Sequence, residues 1–313
     1  MELGKLGVFF FSEGIPAGEV KALVRRFEGL GYGAVWLPEA AGREPFATAA
    51  MILEATERLV AATGIVNLYN RDPLVAAMGQ QTLAEMSGGR FLLGLGVSHR
   101  FFVEARGHAY GKPLQTMRRY VAALKQCHTG MSVTRNLLVE GLSPQNVAVG
   151  ARGAIATEVG ELPIVLAALG PKMTALAGEI AQGAHPYNTT PAHTARARSL
   201  LGPGPWLCPA QRVALCSDAR KARQVGRQLL TLYLSLPNYR NMLLDSGYTE
   251  VDFEDGGSDR LIDQLLGWGD EATIRERVQA HLDAGADHVC VQAIDLDDPA
   301  RPCLRTLEVL AGP

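Results

Sequence analysis

Short apolar runs alternate with amphipathic segments along nearly the whole chain, and no other sequence feature restricts the possible fold as strongly. Each apolar run has the length of a buried strand, and the segments between them carry apolar residues at the i, i+3, i+4 and i+7 spacing of one helix face. A strand, a helix and a second strand in about 30 residues make a parallel βαβ unit. The sequence predicts eight strands: Leu6–Phe11, Ala34–Leu37, Val60–Asn67, Phe91–Gly96, Pro163–Leu169, Ala184–Tyr187, Gln211–Cys216 and His288–Ile294.

Eight alternating units predict an α/β protein with a (β/α)8 TIM barrel, because eight parallel strands fit a closed barrel better than an open sheet. An open, doubly wound sheet is the alternative. The 313 residues suit one barrel domain, 1–313, since such barrels take roughly 250 residues and often carry insertions. Two stretches interrupt the alternation and are expected to be irregular insertions, at about 128–161 and 237–268.

Composition excludes several classes of function. Lysine and arginine total 30 against 32 aspartates and glutamates, so no global field favours nucleic acid or a membrane surface. The apolar run Leu6–Phe11 is too short for a secretory or membrane segment. The five cysteines are scattered without a CxxC pair, which is typical of free thiols in a reducing compartment. We expect a cytoplasmic protein whose partner is a small molecule.

Polar residues that directly follow the strands are the candidates for chemistry, because a parallel barrel carries its site at the carboxyl ends of its strands. Glu39 follows the second strand, where it is either functional or a solvated loop carboxylate. Gly64 interrupts the third strand, which indicates a bulge or a ligand close to the backbone, or else a packing glycine. Ser98 and His99 follow the fourth strand and add hydrogen-bonding groups.

The end of the fifth strand has the features of an anion site. Gly170 joins the strand to a helix, Pro171 suits the first helical position, and Lys172 adds a positive charge. Unpaired N–H groups at a helix start attract anions, although many barrels have such turns without a ligand. His185 and Tyr187 end the sixth strand.

Several common catalytic motifs are absent. The Gly94–His99 segment has His99 where a dinucleotide fingerprint needs glycine. The sequence contains no HExxH or cysteine-rich metal pattern and no GxSxG elbow. We therefore expect no metal ion and no serine hydrolase.

Five segments together resemble the bacterial luciferase-like superfamily, and within it the actinobacterial oxidoreductases that use the deazaflavin coenzyme F420. The segments are 31–39, 62–65, 88–97, 168–173 and 283–292. The resemblance spans nearly the whole chain apart from about 127–161, and the order and spacing of the segments are more specific than any one of them.

This resemblance implies a luciferase-like barrel with the cofactor in its mouth, a non-proline cis peptide at Gly64–Ile65, and a homodimer. Glu39 and His99 become the candidates for moving a proton. In the relatives His or Asp often follows the second strand, whereas here Glu39 precedes two alanines. The implied cofactor-binding residues are Gly64, Ile65, Asn67, Gly96, Val97, Ser98, His99, Gly170, Pro171, Lys172, Met173, His185 and Tyr187.

The resemblance thus implies an F420-dependent oxidoreductase that exchanges a hydride with a small organic substrate. One alternative is an FMN-dependent monooxygenase of the same superfamily. Another is a catalytically silent barrel that binds flavin or a partner.

Overall fold

Eleven short strands form one sheet in residues 1–128 and 160–311, the part of the chain that the computed structural model describes. Every pairing between these strands is parallel. The strands are β1 Leu6–Phe9, β2 Ala34–Leu37, β3 Val60–Thr63, β4 Val66–Asn67, β5 Phe91–Gly96, β6 Ile164–Leu166, β7 Gly183–Ala184, β8 Trp206–Leu207, β9 Ala210–Leu215, β10 Leu266–Gly269 and β11 Val289–Ala293.

The sheet closes on itself. Its order runs β9-β11-β1-β2-β3-β5-β6-β7-β8, and β8 leads after two residues into β9. A parallel bridge between Tyr187 and Ala210 continues the pairing of β7 onto the start of β9. β3 and β4 together make one interrupted strand of the barrel, and β8 and β9 together make another. The barrel therefore has the eight strands of a TIM barrel. The predicted barrel is confirmed, and β10 is an extra strand beside β9.

Helices cover the outside of the barrel between successive strands. Asp72 caps α3 by accepting hydrogen bonds from the Leu74 and Val75 N–H groups, as the Asp72-Pro73 pair indicates. The helices are α1 Ala17–Gly29, α2 Pro45–Ala55, α3 Pro73–Ser87, α4 Arg100–Ala105, α5 Pro113–His128, α6 Pro171–Ile180, α7 Pro191–Leu201, α8 Ala219–Ser235, α9 Pro237–Leu244, α10 Asp259–Leu265, α11 Glu271–Asp283 and α12 Leu304–Ala311.

Alternate residues of each strand face two different cores. Val35 and Leu37 of β2 pack in the large cluster between the sheet and the helices. Ala34 and Trp36 point the other way, into a smaller cluster inside the barrel that also contains Phe9. This inner cluster fills the barrel with side chains, so a ligand can bind only above it, at the end of the strands.

The expectation of an irregular insertion at 237–268 is wrong. This stretch contains α9, a 3-10 segment at Glu250–Gly256, α10 and most of β10. The Asp252 carboxylate organises it by accepting hydrogen bonds from the Thr249 N–H, the Ser258 hydroxyl and the Arg260 guanidinium. The elements are short, and side-chain caps fix the 3-10 segment and α10, so no apolar period reveals them. Of the other expected insertion, at about 128–161, residues 129–159 lie outside the described residues.

None of the helices in the described ranges is both long and apolar enough to cross a membrane.

Candidate active site

A cleft of about 830 Å³ opens above the inner core, at the carboxyl ends of the strands. Aromatic rings line much of its wall: Phe9, Phe11, Phe102, Tyr187, Tyr233 and Tyr239. A second cavity of about 910 Å³ lies at the opposite end of the barrel, beside Gly33 and Arg90, which precede β2 and β5. Because barrel enzymes carry their sites at the carboxyl ends of the strands, the first cavity is the candidate active site.

The break between β3 and β4 forms part of the floor of the cleft. Gly64 and Ile65 line it, and the peptide bond that joins them is cis, as the resemblance implies. A Cβ at Gly64 would lie 3.0 Å from Nε2 of His185 and 3.0 Å from a ring carbon of Phe9. A Cβ at Gly94, on the neighbouring strand, would lie 1.9 Å from the Thr63 carbonyl oxygen. Glycine at both positions lets the backbone of the bulge lie directly under a ligand.

Glu39 is held by a buried ion pair. Arg71 donates to both carboxylate oxygens, at 2.7 Å to Oε1 and 3.2 Å to Oε2. The Asn67 N–H also donates to Oε2, at 2.6 Å. The side chains of Arg71 and Glu39 are only 9% and 11% exposed. With both oxygens occupied, Glu39 braces the loop that follows the bulge, although it also lines the cleft.

His99 lies at the start of α4 with its imidazole in the wall of the cleft. Burial lowers the pKa of His99 below its ordinary 6.5, and the hydrogen bond to Asn238 opposes this shift only in part. The ring is therefore neutral at pH 7. Its neighbour Ser98 has φ of 55°, an uncommon conformation for a residue other than glycine, and also lines the cleft. Such backbone conformations are concentrated at functional sites.

The helix start at Gly170–Met173 lies beside the cleft but does not line it. Gly170 and Lys172 are exposed, and α6 begins without a side-chain cap. The preceding Leu169 packs against the apolar cluster of α8 and α9 that includes Tyr239, one of the cleft residues. This turn is therefore adjacent to the rim.

Four buried polar atoms without partners lie on the segment that faces this turn. They are Nδ2 and Oδ1 of Asn188, Oγ1 of Thr189 and Nδ1 of His193. The other ring nitrogen of His193 donates to the Leu169 carbonyl at 2.8 Å, which ties this segment to the residue before Gly170. Buried polar atoms rarely lack a partner, so this segment carries donors and acceptors that the described residues leave unused.

His185 lies below the cleft and not in its lining, in contrast to the expectation from its place at a strand end. Its ring stacks on Trp36, with centroids 4.3 Å apart, inside the barrel. Nδ1 donates to the Cys208 carbonyl at 2.7 Å. Burial lowers the pKa of His185 to about 4. His185 and Tyr187 are two residues apart, so both side chains point into the barrel. Tyr187 lies further toward the carboxyl end and reaches the cleft, whereas His185 stays in the inner core.

The structure therefore gathers about half of the sequence-derived candidates around the cleft. Those that line it are Glu39, Gly64, Ile65, Asn67, Ser98, His99 and Tyr187. Those that do not are Gly96, Val97, Gly170, Pro171, Lys172, Met173 and His185.

Sequence reasoning missed Tyr233, Tyr239 and Arg212. The two tyrosines come from α8 and α9, which follow the seventh strand and fold back over the cleft. Arg212 is buried within β9, under Tyr187 and Tyr233. A charged residue in an otherwise buried strand was a usable signal for Arg212. Within the described ranges, no group of three His, Cys, Asp or Glu side chains could hold a metal ion.

The closed parallel barrel, with an aromatic cleft and a glycine bulge at the carboxyl ends of its strands, places this protein in the class of TIM-barrel proteins. Residues 4–202 match the family model described as luciferase-like monooxygenase. That match covers more than half of the chain, so the protein belongs to the luciferase-like monooxygenase family.

Similar proteins include two curated relatives. The chain is 27% identical to a putative coenzyme F420-dependent oxidoreductase of Mycobacterium tuberculosis, over 87% of this chain and 89% of that protein. It is 30% identical to the 5,10-methylenetetrahydromethanopterin reductase of Methanolobus tindarius, over 54% of this chain. The match spans only about half, 49%, of that reductase.

A solved structure has the same fold over almost its full length. The coenzyme F420-dependent tetrahydromethanopterin reductase of Methanopyrus kandleri superposes with a TM-score of 0.73, covering 99% of this chain and 98% of that one at 18% identity. At this identity the likeness shows the fold alone.

Proposed function

We propose that this protein is an F420-dependent oxidoreductase that transfers a hydride between the deazaflavin and a small organic substrate. The cleft is the observation that carries the proposal, because it combines an apolar floor at Gly64–Ile65 with a neutral imidazole at His99. The names of the relatives, which include an F420-dependent oxidoreductase and a reductase of a methylene-carrying pterin, support this cofactor and reaction.

The residues present fit a flat ring with an anionic tail. The Gly64–Ile65 bulge and the wall residue Tyr187 would hold the ring. The exposed start of α6 and the unpartnered polar atoms of Asn188 and Thr189 would hold a phosphate and the acidic tail. When bound, F420 supplies a ring carbon that accepts or gives up a hydride.

His99 is the group that we propose moves the proton. In the direction of alcohol oxidation, the substrate loses a hydride from carbon and a proton from its hydroxyl, and the neutral imidazole accepts that proton. In the reverse direction, the protonated ring returns it to the carbonyl oxygen. The lowered pKa of His99 suits the first role, since burial favours the neutral ring that can accept a proton.

Glu39, the other sequence-derived candidate for proton transfer, is better suited to positioning. Its two oxygens already accept three hydrogen bonds, from Arg71 and the Asn67 N–H. A carboxylate held in this way fixes the loop after the bulge and therefore the floor on which the ring would lie.

Oxygen consumption separates this proposal from an FMN-dependent monooxygenase, the reaction class that the family description names. Purified protein would be supplied with F420 and a panel of small alcohols and ketones, and separately with reduced FMN and oxygen. The proposal predicts a substrate-dependent absorbance change of the deazaflavin without oxygen uptake. Substrate-dependent oxygen uptake with reduced FMN alone would favour the monooxygenase, and no turnover with either would favour a silent barrel.

We also propose a single-domain cytoplasmic homodimer. Three apolar side chains of α3 are exposed, Val75 at 49%, Met78 at 57% and Met86 at 40%, which supports a contact between two copies at this helix. Light scattering would show a dimer for the native chain and a shift toward monomer for Met78→Glu.

A further inference from the structure

Arg212 is a buried cation without a counter-ion. It lies in the middle of β9, opposite Gln292 in the register with β11, and only 4% of it is exposed. It forms no ion pair within residues 1–128 and 160–311. The carboxylates that line the cleft there, Glu39 and Glu44, both bind Arg71 instead.

The contacts of the guanidinium leave two of its nitrogens unused. Nη2 donates to the Tyr187 hydroxyl at 2.7 Å, while Nε and Nη1 are buried without a partner. The Tyr187 hydroxyl in turn donates to Oε1 of Gln292 at 2.9 Å. The guanidinium carbon lies 4.9 Å from the Tyr187 ring centroid and 5.2 Å from that of Tyr233.

These contacts satisfy only part of a buried charge. Stacking on tyrosine faces attracts a cation, but a buried guanidinium normally also pairs with a carboxylate or phosphate. Both rings that contact Arg212 line the cleft, so the buried charge lies next to the wall of the space where substrate would bind. The free donors and the missing counter-ion therefore point to an anion supplied by the ligand.

We propose that the substrate of this cleft carries a carboxylate and that Arg212 is its counter-ion. The proposal rests on the function proposed above and narrows its substrate to a small organic acid. Tyr233 is partly exposed whereas Arg212 is not, so the carboxylate reaches Nε and Nη1 when the Tyr233 ring moves outward. The acid is held with its reacting carbon toward the bulge and His99.

Matched pairs of neutral and charged ligands test this directly. Calorimetric titration of the whole protein, with and without F420, would compare benzoate with benzamide and hexanoate with hexanamide. The native protein is expected to bind each acid roughly tenfold or more tightly than its amide. Arg212→Met should remove that preference, and Arg212→Lys should retain part of it. Arg106→Met is the control, because it removes the same charge from the exposed part of the lining and should change the preference little.

Stability provides a second readout that a structural role for Arg212 would not give. Because the charge has no counter-ion, Arg212→Met should melt within about 3 °C of the native protein, or higher. A native protein that binds acids and amides equally would overturn the proposal, whether or not F420 binds. A strongly destabilised Arg212→Met, or one that loses F420 affinity with its acid preference intact, would also overturn it. Failure of F420 to bind the native protein would instead count against the proposed function.

Discussion

At the scale of single residues, the chemistry of the cleft depends on how each polar side chain is already bonded. His99 has a neutral ring at the wall of the cleft, whereas both oxygens of Glu39 are occupied by Arg71 and the Asn67 N–H. Residue type alone ranks the two equally as proton carriers. Their hydrogen bonds separate them, and only the folded chain shows those bonds.

Replacing His99 with glutamine should remove the proton acceptor. The native enzyme is expected to show a rate of substrate oxidation that rises with pH through a midpoint below 6.5, because burial lowers the pKa of His99. In His99→Gln that rise should disappear and the rate should fall by roughly 100-fold. Measuring the rate over a series of pH values tests both effects. If the rate of the variant rises with pH as that of the native enzyme does, His99 is not the proton acceptor.

Replacing Arg71 with methionine should destabilise the protein by about 3 kcal/mol, because it leaves the buried Glu39 carboxylate without its counter-ion. Urea unfolding would measure the loss. Arg118→Met is the matched control, since its pair with Glu179 is about half exposed on both sides and should contribute less than about 1 kcal/mol. Equal losses in the two variants would show that the Glu39–Arg71 pair does not brace the loop.

At the scale of elements, the turn between β6 and α6 can be tested without disturbing the fold. A Cβ at Gly170 would meet no atom within 4 Å, and φ there is −85°, which any residue adopts. Gly170→Leu should therefore keep the native melting temperature while weakening F420 by roughly tenfold, because the side chain would cover the N–H groups at the start of α6. Unchanged affinity would refute this turn as an anion site.

The bulge is expected to respond in the opposite way. Gly94→Ala would place a Cβ 1.9 Å from the Thr63 carbonyl oxygen. Backbone atoms of two paired strands cannot move far enough to relieve this contact without disturbing the sheet. We expect a loss of about 2 kcal/mol or more in the free energy of unfolding. Stability close to that of the native protein, measured by urea unfolding, would mean that β5 and the bulge are less tightly packed than the structure shows.

The elements that the sequence predicted are those in which apolar residues recur with the clear period of a strand or a helix. The eight strands and the helices between them have apolar runs of sufficient length, and Gly64 marks the bulge by interrupting one of them. The helices α9 and α10 and the strand β10 were missed because they are short and depend on contacts such as those of Asp252. Arg212 was a charged residue in an otherwise buried strand, but only the closed barrel places it beside Tyr187 and Tyr233 of the cleft.

At the scale of the whole molecule, closure of the barrel gives the two ends of its interior different characters. The inner core holds histidines whose rings are neutral and hydrogen-bonded. In His288, Nε2 accepts from the Trp36 indole at 3.0 Å and Nδ1 donates to the Gly4 carbonyl at 2.9 Å. The mouth above the core contains the cleft and its ionic groups.

These buried rings make stability depend on pH. Burial lowers the pKa of His185 and His288 to about 4, and that of His281, between the barrel and its helices, to about 3. In the unfolded chain they bind protons near pH 6.5, so the free energy of unfolding should fall as pH drops from about 6.5 to about 4. Each ring contributes up to about 1.4 kcal/mol per pH unit. In His281→Gln, the free energy of unfolding measured with urea should change less with pH, by about that amount per pH unit. An identical pH dependence would contradict the neutral state of that ring.

Binding of a deazaflavin in the cleft of this barrel can be measured by equilibrium titration of the purified protein with F420, FMN and FAD, followed by fluorescence. We expect saturable binding of F420 at micromolar concentrations, weaker binding in Gly170→Leu, and little binding of FMN or FAD. Tight binding of FMN with none of F420 would contradict it.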